Sequence, residues 1–404
     1  MSNQPQVLKG FRDFLPKEKR ARDFVMGKIT NTFKKFGFEP IETPTIEYRE
    51  TIMGKYGDEA DKLVYSFEDN GKRAVALRYD QTVPTARFIA NHFNDLAFPF
   101  RRYQNQNVFR ADKPQKGRYR EFTQCDIDIF GSTDPLADAE IIACTYAAYK
   151  AIGFKQIKMV INDRQVLMGA LQPFANSSVN VFSIIQSIDK LDKLPVAEVI
   201  GELVRKGMGN GEAGQAIEAI QKAKPSENLQ KILDLLSSLG VARDEFRFDP
   251  LIARGLDYYT GMIFEIRIPG FTAGSVGGGG RYDNLIEQLC GLKMPAVGVA
   301  FGFDRTLEAA VQFNLIEDKV QSDSILVTVF DESLVSESAV LAAKLRKDGM
   351  ICELYPKVDK LVKQFKYADK KGFRYCAIIG PDEVKKGIYL RKDLQTGEQK
   401  TIGI

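Results

Sequence analysis

Apolar residues recur along this chain at two different periods, and the switches between them mark its elements. Between Pro16 and Gly37, the residues Val25, Ile29, Phe33 and Phe36 return at helical spacing. Proline suits the first helical position and glycine the stop, so one amphipathic helix is predicted there. The next stretch, FEPIETPTIEY, is extended. Its prolines, Pro40 and Pro44, confine it to an edge or an interface, because proline has no N–H to give a sheet ladder. RAVALRYD (73–80), FRRYQNQNVFRAD and REFTQCDIDIFG (120–131) predict further strands, and DKPQKGRY between the last two predicts a hairpin tip. DAEIIACTYAAYKAIGF predicts a helix ending near Gly153.

From about 164 to 247 the helical period takes over. VFSIIQSIDKLDKL, AEVIGELVRKG, GQAIEAIQKA and ENLQKILDLLSSLG each carry an apolar stripe with cap and glycine signals, which predicts a helical insertion. Strand-like sequence resumes at RFDPLIARGLDYYTGMIFEIRI, and PAVGVAFGFDRTLEAAVQF predicts a strand running into a helix near Asp304. After the polar NLIEDKVQSD, which reads as a linker, the rhythm is β-α-β-α-β. SILVTVF, ICELYP and RYCAIIG are its strands; SLVSESAVLAAKLRKDG and KLVKQFKYADKKG are its helices. That alternation predicts a small α/β domain with a mixed or parallel sheet. In the second helix Leu361, Phe365 and Ala368 mark an inward face, and Lys363, Lys366 and Lys370 a basic one. A basic face alone is a solvated face.

Composition narrows the chemistry more than the fold. The 404 residues are 44% apolar, enough for more than one domain. With 57 basic against 53 acidic residues the net charge is only +4, so any surface for an anionic partner must be local. The 5 cysteines have no paired spacing and His92 is the only histidine, which argues against a disulfide framework and a Cys/His zinc site. His92, after the RFIAN helix pattern, reads as structural. The start MSNQPQVLKGFRDF lacks an apolar core for export, and no run is long enough to span a bilayer, so a reducing cytoplasm is expected.

No Walker loop is present, and no GxGxxG follows a predicted strand. GSVGGGGRYD (274–283) taken alone is a glycine turn. The alternative phosphate tool is arginine, whose planar donor fork stays charged and matches phosphate oxygens. Arg110 ends a strand, Arg118 and Arg120 flank the hairpin tip, Arg254 precedes a glycine, and Arg305 opens a helix. Singly, each is as good a surface salt-bridge partner.

The sequence NVFRADKPQKGRYREFTQCDIDIFG resembles motif 2 of class II aminoacyl-tRNA synthetases, and GVAFGFDRTL resembles motif 3. GFEPIETPTIEY is similar to motif 1, with Pro44 as its proline. RGLDYYTGMIFE and GGGRYDNL resemble the two signature motifs of the histidyl-tRNA synthetase family, and LKGFRDFLP and LRYDQTVPTARFIA are similar to it too. The resemblance covers essentially the whole chain. It implies an α+β architecture: a class II antiparallel sheet flanked by helices over 1–322, carrying the insertion at about 164–247, and an anticodon-binding α/β domain over 323–404.

The resemblance also implies a reaction. Histidine and ATP, with Mg²⁺ and no zinc, give histidyl-adenylate, and the 3′ end of tRNA(His) then takes the acyl group. Arg110 is implied at the α-phosphate and carboxylate, Arg254 at the α-phosphate, and Arg305 at the γ-phosphate. Arg118 is implied beside ATP, with Phe122 stacked on adenine. Asp80, Thr82 and Gln124 match the α-amino contacts; Asp128 and Tyr259 match the imidazole contacts, with Arg281 and Tyr282 turned inward beside them. For Asp128 a capping or salt-bridged aspartate stays open; Tyr258 reads as core. Lys113, Gln115 and Lys116 in the hairpin tip, and Lys363 and Lys366 in the last domain, are implied at the tRNA. A homodimer with no membrane attachment is expected. Two departures stand out: Gln81 occupies a usually apolar position, and Asp80 and Asp128 match the aspartate-bearing branch of the family. The rival is an inactive paralogue: a regulatory subunit, against which the C-terminal domain and the intact signature motif argue, or a tRNA sensor, against which Arg110, Arg254 and Arg305 argue.

Overall fold

The computed structural model describes residues 5–54, 61–113, 119–192, 194–253, 258–316 and 324–404. The chain divides into two compact units, Met1–Leu315 and Ile316–Ile404.

In the first unit the strands are, in chain order, β1 (Glu39–Pro40), β2 (Ile46–Tyr48), β3 (Ser66–Glu68), β4 (Ala74–Leu77), β5 (Phe100–Phe109), β6 (Glu121–Phe130), β7 (Lys158–Asp163), β8 (Phe246–Phe248), β9 (Met262–Arg267), β10 (Gly277–Arg281) and β11 (Ala296–Gly302). Among the described residues, eight of them form one sheet in the order β1-β5-β6-β11-β10-β9-β7-β8, and β2-β4-β3 form a small antiparallel sheet. The large sheet is antiparallel from β5 through β7, with β1 and β8 added parallel at its two edges. Pro40 therefore ends up at an edge, where the missing N–H costs no ladder bond. Among the described residues, the stretch from Arg247 to Ile268 carries two short strands: β8 takes the edge position and β9 returns inside the sheet.

One face of the sheet is covered by helices. Phe301 of β11 packs on Phe33 of helix Pro16–Lys35 and on Tyr149 of helix Pro135–Ile152, with ring centroids 5.3 and 5.2 Å apart. Helix Pro135–Ile152 starts where the Asp134 carboxylate accepts from Leu136 N at 2.8 Å and stops at left-handed Gly153, φ 118°. It is apolar on nearly every side because it lies between the sheet and helices Pro16–Lys35 and Glu227–Ser238. The insertion is helical as expected. Leu167, Ile184, Val199, Leu203 and Ile217, from successive helices, are buried in one core.

The second unit has β12 (Ile325–Val327), β13 (Cys352–Leu354), β14 (Tyr375–Ile378), β15 (Ile388–Asp393) and β16 (Gln399–Gly403) in the order β13-β12-β14-β15-β16. β12, β13 and β14 are parallel, and the hairpin β15–β16 adds antiparallel to them. Ile325 and Val327 pack with Leu341 and Leu345 on one face; Leu326 and Cys376 pack with Ala368 on the other. Helix Leu361–Lys371 differs from its sequence pattern. Gln364 is fully buried and Leu361 only half-buried, because the Gln364 amide accepts from Val329 N at 2.9 Å and donates to Val329 O at 2.8 Å. Among the described residues, no helix is long and apolar enough to cross a membrane.

Candidate active site

The sheet face opposite the helices floors a cavity of about 510 Å³. Asp80, Thr82, Arg110, Phe122, Gln124, Asp128, Tyr259, Tyr282 and Arg305 all line it. They come from six chain segments, and strand alternation explains much of the convergence. On β6, residues 122, 124, 126 and 128 share the cavity face, while Cys125, Ile127 and Ile129 turn into the core.

The glycines are there for clearance. A Cβ at Gly298 would sit 1.7 Å from Asp128 Oδ1, and one at Gly279 would sit 2.0 Å from the Gly298 carbonyl. No side chain fits either gap. Within GSVGGGGRYD, Gly277–Arg281 is thus the strand β10 and not a loose turn. Arg281 at its end does not turn inward as expected: it turns away from the cavity because the buried Asp138 carboxylate takes its charge, with its Nε 3.1 Å from Asp138 Oδ1. Tyr282, next in the chain, turns into the cavity.

At one end of the cavity Arg110 donates from Nε to the Tyr79 carbonyl at 3.0 Å. Its guanidinium carbon lies 4.3 Å from the Tyr79 ring centroid and 5.2 Å from that of Phe122. Arg305 donates to the Ser275 carbonyl at 3.1 Å. Its helix, Phe303–Gln312, is pinned through Asp304, which the sequence reading used only as a helix start. Asp304 accepts from Arg12 at 2.8 Å, from Arg22 at 2.6 Å and from Thr123 N at 3.2 Å. Both the N-terminal stretch containing Arg12 and strand β6 are thereby tied to the helix that carries Arg305.

Asp80 caps the turn before helix Thr82–Asn91, accepting from Val83 N at 3.2 Å. Gln81 is fully buried and donates to the carbonyls of Gln106 and Gln124, each at 3.0 Å. A usually apolar position therefore holds an amide that ties this helix to β5 and β6.

At the other end Asp128 receives a hydrogen bond from the Tyr282 hydroxyl and an ion pair from Arg102. Arg102 is fully buried and stands directly across the ladder from Asp128. Burial pushes the Asp128 carboxyl above its ordinary value, against the pull of Arg102 and Tyr282. Burial and the facing Asp128 push the Tyr282 phenol well up, so it donates rather than ionises. Arg102 and Asp126 were missed in the sequence. The available signal was a charged residue at an inward position of each alternating strand. Tyr258, expected as core, packs against the core and also lines the cavity.

Arg254, Gln115, Lys116 and Arg118 lie outside the described residues. Lys113 is exposed and does not line the cavity. Lys363 and Lys366 are exposed on helix Leu361–Lys371, and Lys363 pairs with Asp359 at 3.2 Å. His92 is half exposed, with Nδ1 3.3 Å from Asp95 Oδ2.

Residues 10–306 match the family model described as histidyl-tRNA synthetase, and residues 323–404 match that described as anticodon binding domain. The histidine–tRNA ligase of Wolinella succinogenes is 38% identical, with 98% of this chain and 95% of that protein covered. That of Gloeobacter violaceus is 39% identical, over 97% and 95% of the two chains. The crystal structure of histidyl-tRNA synthetase from a Nostoc species superposes with a TM-score of 0.86 at 32% identity, covering 98% of this chain and 96% of that one. A Bacillus halodurans structure titled as an ATP phosphoribosyltransferase regulatory subunit/histidyl-tRNA synthetase shares the fold, with a TM-score of 0.73 at 22% identity over 90% and 97% of the chains.

Proposed function

The chain belongs to the histidyl-tRNA synthetase family, and we propose that the cavity on β6, β10 and β11 is where L-histidine and ATP react. The activity is that of a histidine–tRNA ligase, which uses ATP; a regulatory paralogue is disfavoured by ligase relatives matched over nearly the full length. In the first step a carboxylate oxygen of histidine attacks the α-phosphorus of ATP, and pyrophosphate leaves with the electrons of the broken P–O bond. In the second a ribose hydroxyl at the tRNA 3′ end takes the acyl group and AMP leaves. Both steps gain from positioning and from neutralising charge on the phosphates.

We assign Arg110 to the α-phosphate and the histidine carboxylate, and Arg305 to the γ-phosphate at the far end. Arg254 and Arg118 join them at the phosphates, and Phe122 stacks on adenine. Asp80, Thr82 and Gln124 receive the α-ammonium; Asp128, Tyr259 and Tyr282 surround the imidazole. What supports these roles is that Arg110, Phe122, Arg305, Asp128, Tyr259 and Tyr282 all line a single cavity, in which Arg110 lies beside Phe122 and Tyr282 donates to Asp128. Magnesium would arrive with the phosphates of ATP, as part of the nucleotide substrate. Among the described residues no group of three or more His, Cys, Asp or Glu side chains is placed to hold a metal ion.

Lys113, Gln115 and Lys116 are proposed at the acceptor end of tRNA(His), and Lys363 and Lys366 at its anticodon arm, the lysines on phosphates and Gln115 on a base edge. We place the boundary between adenylation and anticodon-binding parts near residue 322, and the protein in the cytoplasm as a homodimer. Sedimentation at the 45.3 kDa of one chain across micromolar concentrations would rule the dimer out. The deciding experiment is ATP–pyrophosphate exchange: label should enter ATP only when L-histidine is present. Exchange driven equally by other amino acids, or none at all, would remove the assignment of the cavity.

A further inference from the structure

Residues 9–12 run as a strap along the stem of the β5–β6 hairpin. The Arg120 N–H donates to the Gly10 carbonyl at 2.9 Å, and the Arg120 carbonyl accepts from Arg110 N at 2.9 Å. Gly10 has φ 91°, and a Cβ there would lie 2.8 Å from the Arg120 side chain, so a glycine lets the strap pass this close. Phe11 then packs towards Phe109, with ring centroids 6.5 Å apart. Half-buried Arg12 reaches helix Phe303–Gln312, where its Nη2 donates to Asp304 at 2.8 Å. Its guanidinium carbon lies 3.3 Å from the centre of the Tyr119 ring, which attracts a cation through its face. The Tyr119 hydroxyl in turn donates to Glu308 Oε1 at 3.4 Å. Asp304 and Glu308 lie one turn apart on that helix and share a face. Tyr119, Asp304 and Arg305 line the cavity, and Arg12 does not.

We propose that Arg12 is a positioning residue for ATP: by gripping Asp304 and Tyr119 it holds the helix that carries Arg305 against the hairpin stem that carries Arg110. This rests on the assignment of Arg305 to the γ-phosphate and deepens it. Asp304 has other partners, but they tie it elsewhere. Arg22 ties it to helix Pro16–Lys35, and the Thr123 N–H ties it to β6. Arg12 is the partner that also lies on Tyr119, next to the hairpin tip, and so joins the helix to the stem. Arg305 follows Asp304 directly, so a shift at Asp304 is passed to the arginine beside it. Small displacements of a group that orients a reacting substrate are costly. Loss of Arg12 is therefore felt at the phosphates Arg305 holds, and not at the imidazole pocket.

Arg12→Ala separates this role from a merely structural one. In histidine-dependent pyrophosphate exchange it should raise KM for ATP and KM for pyrophosphate roughly 5- to 10-fold each, the scale of one lost hydrogen bond. KM for histidine, and the inhibition constant of AMP, which lacks the β- and γ-phosphates, should stay within about twofold. An unchanged KM for ATP overturns the proposal. So does a rise for ATP without one for pyrophosphate, which would move the effect away from Arg305. An equal loss for histidine and AMP overturns it too, because the strap would then be a general support of the cavity. If Arg12→Ala does not fold, Arg12→Met keeps a long side chain on Tyr119, removes the donor to Asp304 and reads the same four constants. The wild-type chain is measured alongside: loss of its own histidine dependence would sink the cavity assignment, whereas the variant alone decides Arg12.

Discussion

A single carbon at Gly298 is enough to disturb the floor of the cavity. Its Cβ would fall 1.7 Å from Asp128 Oδ1 and 2.7 Å from the Ile127 carbonyl, so either the carboxylate or the strand must move. Gly298→Ala should cost about 1–3 kcal/mol of stability as an overpacked core does. It should also lower kcat/KM for histidine in pyrophosphate exchange far more than it affects ATP binding. Equal losses for both substrates would mean that Asp128 is not the part displaced. Arg102 gives a second case. It is fully buried against a buried carboxylate, and removing one partner of such a pair leaves an uncompensated charge. Arg102→Met should therefore destabilise by about 3–5 kcal/mol in urea unfolding, and adding Asp128→Asn should restore most of that. No recovery in the double variant would show that Arg102 acts through packing and not through its charge.

Among elements, the insertion helices Val181–Ile188 and Val196–Arg205 are joined by a polar knot besides their shared core. Glu202 accepts from Lys190 at 2.8 Å, from Ser187 at 3.0 Å, and pairs with Lys206 at 3.1 Å. Lys190, helped by Lys206 and Ser187, holds the Glu202 carboxyl down to about 2, from 4.5, against the opposing effect of desolvation. The folded pKa lies below the unfolded one, so the knot stabilises fully above pH 4.5 and is lost as pH falls towards about 2. Glu202→Gln should lower the melting temperature at pH 7 and show a weaker acid loss across that window than wild type. A parallel pH profile for the two proteins would exclude Glu202 from the acid response. The group is partly solvated, so the effect is expected to shrink with added salt.

At the scale of the whole molecule, every described residue assigned to adenylation lies in the unit Met1–Leu315, and the exposed lysine face lies in Ile316–Ile404. A chain ending near residue 322 should keep histidine-dependent pyrophosphate exchange and lose most tRNA charging. Charging by the fragment as fast as by the full chain would remove the second unit from tRNA recognition. Each unit has a core of its own: Ile325, Val327, Leu341 and Ala377 close the smaller one, and this supports independent folding of the larger.

Periodicity in the sequence was enough for the helices and for most strands, because a stripe of apolar residues at 3.6 or 2 has one way to face a core. The motifs named Arg110, Phe122, Gln124, Asp128, Tyr259, Tyr282 and Arg305, and the fold brings these to one cavity. The hairpin β15–β16 was not legible: IYLRKD and QKTIG are mostly half-buried or exposed, and only pairing with β14 makes them strands. Nor was the inward turn of Gln364, whose burial depends on two backbone groups of Val329 far off in sequence. Arg102, Asp126 and Asp304 belong to the same class. A buried charge is explained only by what faces it, and the facing groups are set by strand register and helix packing: Asp128 across β5–β6, and Arg12, Arg22 and Thr123 around Asp304. A linear pattern records which side of an element is wet. Which polar atom inside meets which donor is decided when distant segments close on one another.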